Sequence, residues 1–68
     1  MTLDALFKEA RRYGKVYIHT HDDGTYSCKI VCMTPQSVSL EFNAGYKNVS
    51  PDEALTNAIK AAKEYVKL

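Results

Sequence analysis

The stretch His21-Asp22-Asp23-Gly24 constrains this 68-residue chain more than any other. It lies between two segments that alternate apolar and polar side chains, so it reads as the turn of a β-hairpin, and the length of that turn decides which residues face each other. Residues directly opposite in an antiparallel pair share a face. A two-residue loop of Asp23 and Gly24 would set Ile18 against Lys29 and Tyr17 against Ile30, mixing core with solvent. A three-residue loop of Asp22, Asp23 and Gly24, with Gly24 left-handed in a bulge, sets Val16 against Ile30, Ile18 against Cys28 and Thr20 against Tyr26. Burial selects the longer loop.

The first strand, from Lys15 to His21, then turns Val16, Ile18 and Thr20 inward and Tyr17, His19 and His21 outward. The second, from Thr25 to Met33, turns Tyr26, Cys28, Ile30 and Cys32 inward, with Ser27, Lys29 and Val31 on the wet side. The third, from Ser37 to Ala44, sets Val38, Leu40, Phe42 and Ala44 against Ser39, Glu41 and Asn43, with Pro35 in the turn before it. A second hairpin with Cys32 opposite Val38 gives the apolar rows Val16-Ile30-Leu40, Ile18-Cys28-Phe42 and Thr20-Tyr26-Ala44. The outer rows become Lys15-Val31-Ser39, Tyr17-Lys29-Glu41 and His19-Ser27-Asn43, which places Lys29 directly across from Glu41.

Leu3, Leu6, Phe7, Ala10 and Tyr13 recur at helical spacing, so a helix is expected over residues 3–12, with Thr2 as N-cap and Gly14 as its stop. Ser50-Pro51-Asp52-Glu53 combines an N-cap serine, a proline at the first helical position and a glutamate able to complete a capping box. The second helix runs from there to about Lys67 and buries Ala54, Leu55, Ala58, Ile59, Ala62 and Val66. Two helices with one apolar stripe each and a sheet with one apolar face imply an α+β domain spanning residues 1–68. Its order is α-β-β-β-α, a three-stranded antiparallel meander with both helices packed on one face and running in roughly the same direction.

Composition narrows the function classes. Apolar residues at 46% and charged residues at 25% are those of a globular domain, and a net charge of +1 argues against the sequence-independent grip on phosphate that a strongly basic domain has. No run approaches the eighteen apolar residues of a membrane span, and the start Met1-Thr2-Leu3-Asp4 lacks the features of a secretory signal, so a cytoplasmic location is expected. Cys28 and Cys32, four residues apart on one strand, have Cα atoms about 13 Å apart, too far for a disulfide. They read as buried thiols.

The histidines His19 and His21 point outward and the two cysteines inward, so the four do not assemble a tetrahedral zinc site. Asp22 and Asp23 beside His21 sit at a hairpin tip open to water, where no general base is held in a pocket. No catalytic residue, metal or cofactor is expected, and the chain reads as a non-enzyme.

Two surfaces remain. Lys8, Arg11, Arg12, Lys15, Lys60, Lys63 and Lys67 gather toward one end, with Tyr13 and Tyr65 near them, and suit nucleic acid or an acidic partner. Asp4, Asp22, Asp23, Asp52 and Glu53 gather at the other, so the domain is a charge dipole. The outer sheet face presents Tyr17, His19, Lys29 and Glu41.

The order of elements, with Ser50 followed by Ala54, Ala58 and Ala62, resembles the double-stranded-RNA-binding domain, in which Phe42 and Gly45 would fall on the third strand and its following turn. That family anchors phosphate with two lysines directly after the serine; here those positions are Pro51 and Asp52, and the first hairpin loop carries Asp22 and Asp23. The resemblance therefore implies the fold, while the acids disfavour duplex RNA at that end. A meander followed by a helix opening with Glu53-Ala54 is also similar to HicB-like antitoxins. The expected function is a small regulatory or accessory binding module, of the kind phages and mobile elements encode, with a protein partner. Nucleic-acid binding through the basic end is the alternative, and an edge strand offers a route to a homo-oligomer.

Overall fold

The structure, a computed structural model, describes residues 2–33, 39–45 and 47–66. Thr2 opens the first helix, α1 (Leu3–Arg11), its Oγ1 accepting from the Ala5 N–H at 3.2 Å. The chain tightens at the far end through Arg12 N–H to Glu9 O and Tyr13 N–H to Ala10 O. Three strands follow, β1 (Lys15–Thr20), β2 (Tyr26–Met33) and β3 (Ser39–Asn43), and then the second helix, α2 (Pro51–Val66). The sheet is antiparallel in the order β1-β2-β3, so β2 is central and β1 and β3 are edges.

The first hairpin has the expected three-residue loop. Thr20 pairs with Tyr26, His21 N–H donates to Thr25 O at 2.9 Å, Gly24 N–H closes the turn on His21 O at 3.0 Å, and Gly24 is left-handed at φ 83°. Val16↔Ile30, Ile18↔Cys28, Tyr17↔Lys29 and His19↔Ser27 follow as expected.

The second pairing differs. Ile30 lies opposite Phe42, Cys32 opposite Leu40 and Lys29 opposite Asn43, a shift of two residues from the expected Ile30-Leu40, Cys28-Phe42 and Lys29-Glu41 rows. A two-residue slip returns every side chain to its own face, so burial parity cannot detect it. What accompanies it is a tertiary latch: Ala44 N–H bonds Cys28 O at 2.9 Å, and Asn48, not Ala44, faces Tyr26 through two backbone bonds of 2.8 and 3.0 Å. The expected turn at Pro35 and the strand residues Ser37 and Val38 lie outside the described residues, as do Lys67 and the side chain of Val66.

Both helices cover the same face. Leu6 and Ala10 from α1 join Cys28, Ile30 and Ala44 from the sheet side and Ala54, Leu55, Ala58 and Ile59 from α2 in one core, with Phe7, Tyr13, Val16, Ile18, Tyr26 and Phe42 packed around it. Leu3, expected in the buried stripe, is 38% exposed, being on the first turn where the helix extends past the core. Gly14 acts by close approach: a Cβ there would lie 2.2 Å from the Val31 carbonyl oxygen, so only glycine lets the chain enter β1 against β2. At α2, Ser50 Oγ accepts from Glu53 N–H at 3.2 Å, and the Glu53 carboxylate reaches back to the Val49 N–H at 3.0 Å, one residue before the cap.

Candidate functional site

The outer sheet face is built by the alternation of β1, β2 and β3, which turns Tyr17, His19, Lys29 and Glu41 away from the helices. These residues come together. Lys29 is the cross-strand partner of Tyr17, its Nζ 5.4 Å from the Tyr17 ring centroid, and the same ammonium lies 3.3 Å from Glu41 Oε1. Glu41 reaches it diagonally, because the residue directly opposite is Asn43. An aromatic ring, a cation and an anion thus run in one row across three strands, with Tyr17 44% exposed.

Beside that row is a shallow depression of about 620 Å³ whose lining includes His19, His21, Ser27, Lys29, Glu41 and Asn43. His19 is the strand partner of Ser27, and His21 Nε2 shares a 3.2 Å hydrogen bond with Ser27 Oγ, so both imidazoles border the same hydroxyl. Among the described residues no three His, Cys, Asp or Glu side chains converge as a metal site would require. Cys28 is buried on the other side of the sheet, and loss of solvent pushes its thiol up to about 11. A neutral thiol beneath two helices is a poor nucleophile. Asp23 at the hairpin tip is held below the usual carboxylate range by the Thr25 hydroxyl and backbone N–H, which both donate to its Oδ1, at 2.5 and 3.0 Å.

The basic residues are less united than their count suggests. Lys8, Arg11, Arg12, Lys15 and Lys60 are exposed, but Lys63 bonds Glu9 Oε1 at 2.8 Å, and that carboxylate raises the Lys63 pKa above the ordinary lysine value. Arg11 lies over the Phe7 ring at 5.7 Å and borders a shallow surface with Lys15, Tyr17 and Val31, away from Lys60 and Lys63, which line the groove between the helices. Tyr65 stacks at a tilt on Phe42, centroids 5.4 Å apart, and Tyr13 packs against the core. Glu9 is the residue the sequence reading passed over: it lies 54 positions from Lys63, and only the packing of α1 on α2 brings them together.

Asn48 was missed as well, and its role is architectural. At 5% exposure its Nδ2 donates to Gly45 O at 2.8 Å and Tyr26 O at 3.0 Å, while its Oδ1 accepts from Asn57 Nδ2 at 2.7 Å. A buried amide with its hydrogen bonds filled ties the segment just after β3 to β2 and α2. No helix among the described residues is long and apolar enough to cross a membrane. Neither family models, nor curated proteins, nor solved structures give a match to this chain.

Proposed function

We propose that the chain is a small non-enzymatic binding module, a regulatory or accessory protein that engages a protein partner through the outer face of its sheet. The observation that carries this reading is the Tyr17-Lys29-Glu41 row: an exposed ring beside a paired cation and anion on the face of the sheet opposite α1 and α2. Such a surface offers apolar contact together with a balanced donor and acceptor set, which suits another protein; a phosphate backbone would meet Glu41 as a repulsive neighbour. A reducing, cytoplasmic setting is part of the same proposal, and the buried Cys28 thiol is in keeping with it.

The second reading is nucleic-acid binding through the basic end, supported by Lys8, Arg11, Arg12 and Lys15, none of which takes part in the ion pairs formed among the described residues. Capture from source-cell lysate, with and without nuclease, separates the two when wild type is run beside Tyr17→Ala and the double variant Arg11→Ala/Arg12→Ala. The protein reading expects a nuclease-resistant partner that is lost with Tyr17→Ala and kept by the arginine variant. Capture that disappears with nuclease and with the arginine variant, and weakens steeply as salt rises, overturns it in favour of nucleic acid.

A further inference from the structure

The solvent side of the two helices carries a groove whose floor is Leu6 and Ile59 and whose rim is Glu9, Asp52, Thr56, Lys60 and Lys63. Both helices line it, and Glu9, close to the end of α1, is bonded to Lys63, in the last turn of α2. Along α2 the rim is a single row at helical spacing: Asp52, Thr56 and Lys60, each one turn from the next. Glu9 and Lys63 satisfy each other, whereas Asp52 and Lys60 belong to neither ion pair formed among the described residues. Eight residues at about 1.5 Å each put them roughly 12 Å apart, beyond each other's reach. An acid in the first turn of a helix is explained by the helix dipole, but Lys60 lies in the middle of α2, where that explanation fails.

We propose that this groove is the contact between two copies of the chain, related by a two-fold axis beside Thr56. Asp52 and Lys60 are equidistant from Thr56, so an antiparallel second copy of α2 sets Asp52 against the partner's Lys60 and Lys60 against the partner's Asp52, with Thr56 facing itself. The row is complementary to itself under that one operation, as an isologous interface requires. The same operation stacks the two helical layers and leaves both outer sheet faces pointing away from each other, so the pair would present two copies of the surface assigned above to a partner. The dimer does not depend on that assignment, since its residues lie on the opposite side of the sheet.

Sedimentation equilibrium over a concentration series tests it. Wild type is expected to move toward twice the 7.6 kDa mass of one chain as concentration rises. Lys60→Glu leaves acids at both rim positions and Asp52→Lys leaves bases at both, so each variant alone is expected to dimerise at least tenfold more weakly. An equimolar mixture of the two is expected to recover the association, because every rim position then meets its opposite charge, and the double variant Asp52→Lys/Lys60→Glu recovers it alone. Circular dichroism confirms that each variant is folded, and Lys60→Glu, on an exposed helix interior, carries the test if Asp52→Lys weakens the start of α2. A wild type that stays monomeric to millimolar concentration, a dimer indifferent to Lys60→Glu, or a mixture no stronger than its components overturns the proposal.

Discussion

The turn at residues 21–25 and the connector from Ala44 to Ser50 each return the chain to the sheet, and they hold it by different kinds of contact. The turn is held by its neighbours in sequence: the His21 and Gly24 backbone bonds, a left-handed glycine, and Asp23 accepting from Thr25 two residues on. The connector is held from a distance, by an amide at position 48 that reaches Tyr26, 22 residues earlier, and Asn57, nine residues later. Local turn chemistry survives on its own terms, whereas a tertiary latch exists only when the elements it joins are already docked. The two sites should therefore differ both in how much they stabilise and in how their loss spreads.

Asn48→Ala is the most severe test of that contrast. It removes bonds to Tyr26 and Gly45 and leaves the Asn57 amide without its 2.7 Å acceptor, so a loss of about 3 kcal/mol in denaturant unfolding is expected. Hydrogen exchange should quicken across β3 and the start of α2 while the first hairpin stays protected; uniform quickening would mean the two regions are not separable. A cost under about 1 kcal/mol would remove the latch from the account.

Cys28 lies between the two regions, across from Ile18 on one side and bonded to Ala44 on the other, so its titration reports on both. Its thiol ionises near pH 9 when unfolded and at about 11 when folded, so folding binds the proton more tightly. That contribution is complete below pH 9 and is lost as pH rises toward 11, on the order of 2–3 kcal/mol. Urea midpoints of wild type and Cys28→Ala should respond differently across that window, and parallel curves would mean the site is wetter than its burial implies.

Gly24→Ala is expected to cost about 1 kcal/mol, because the position is left-handed at φ 83° while nothing lies within 4 Å of an added Cβ. The penalty is one of backbone conformation alone, and Gly24→Asn should recover part of it. The smallest effect belongs to Asp23. Its folded pKa is lowered, so its contribution is present above the ordinary value of 3.8 and disappears as pH falls through the folded value. Asp23→Asn should flatten that acid limb without moving the midpoint at neutral pH by more than a small fraction of the Asn48→Ala effect.

The same contrast explains what could be seen in advance. The first hairpin was legible because its loop length and its burial pattern are independent statements about one register, and they agree only for a three-residue loop. The pairing of β2 with β3 was not, because a slip of two residues preserves every inward and outward assignment; the distinguishing contact, Asn48 on Tyr26, lies after β3 has ended. For the same reason the Lys29-Glu41 contact exists although the register expected for it does not: a long lysine reaches a diagonal neighbour as readily as a direct one. The basic end was legible as a list of residues but not as a surface, since Glu9 enters it only through helix packing.

By itself, then, the order of residues determined the elements, their caps and the face each side chain takes, because those follow from spacing, turn chemistry and burial within a few residues. Tertiary structure alone decided which of two equivalent registers β3 adopts, which lysine is neutralised and where the latch closes. Those outcomes depend on contacts between residues far apart in sequence, whose distances no local pattern encodes.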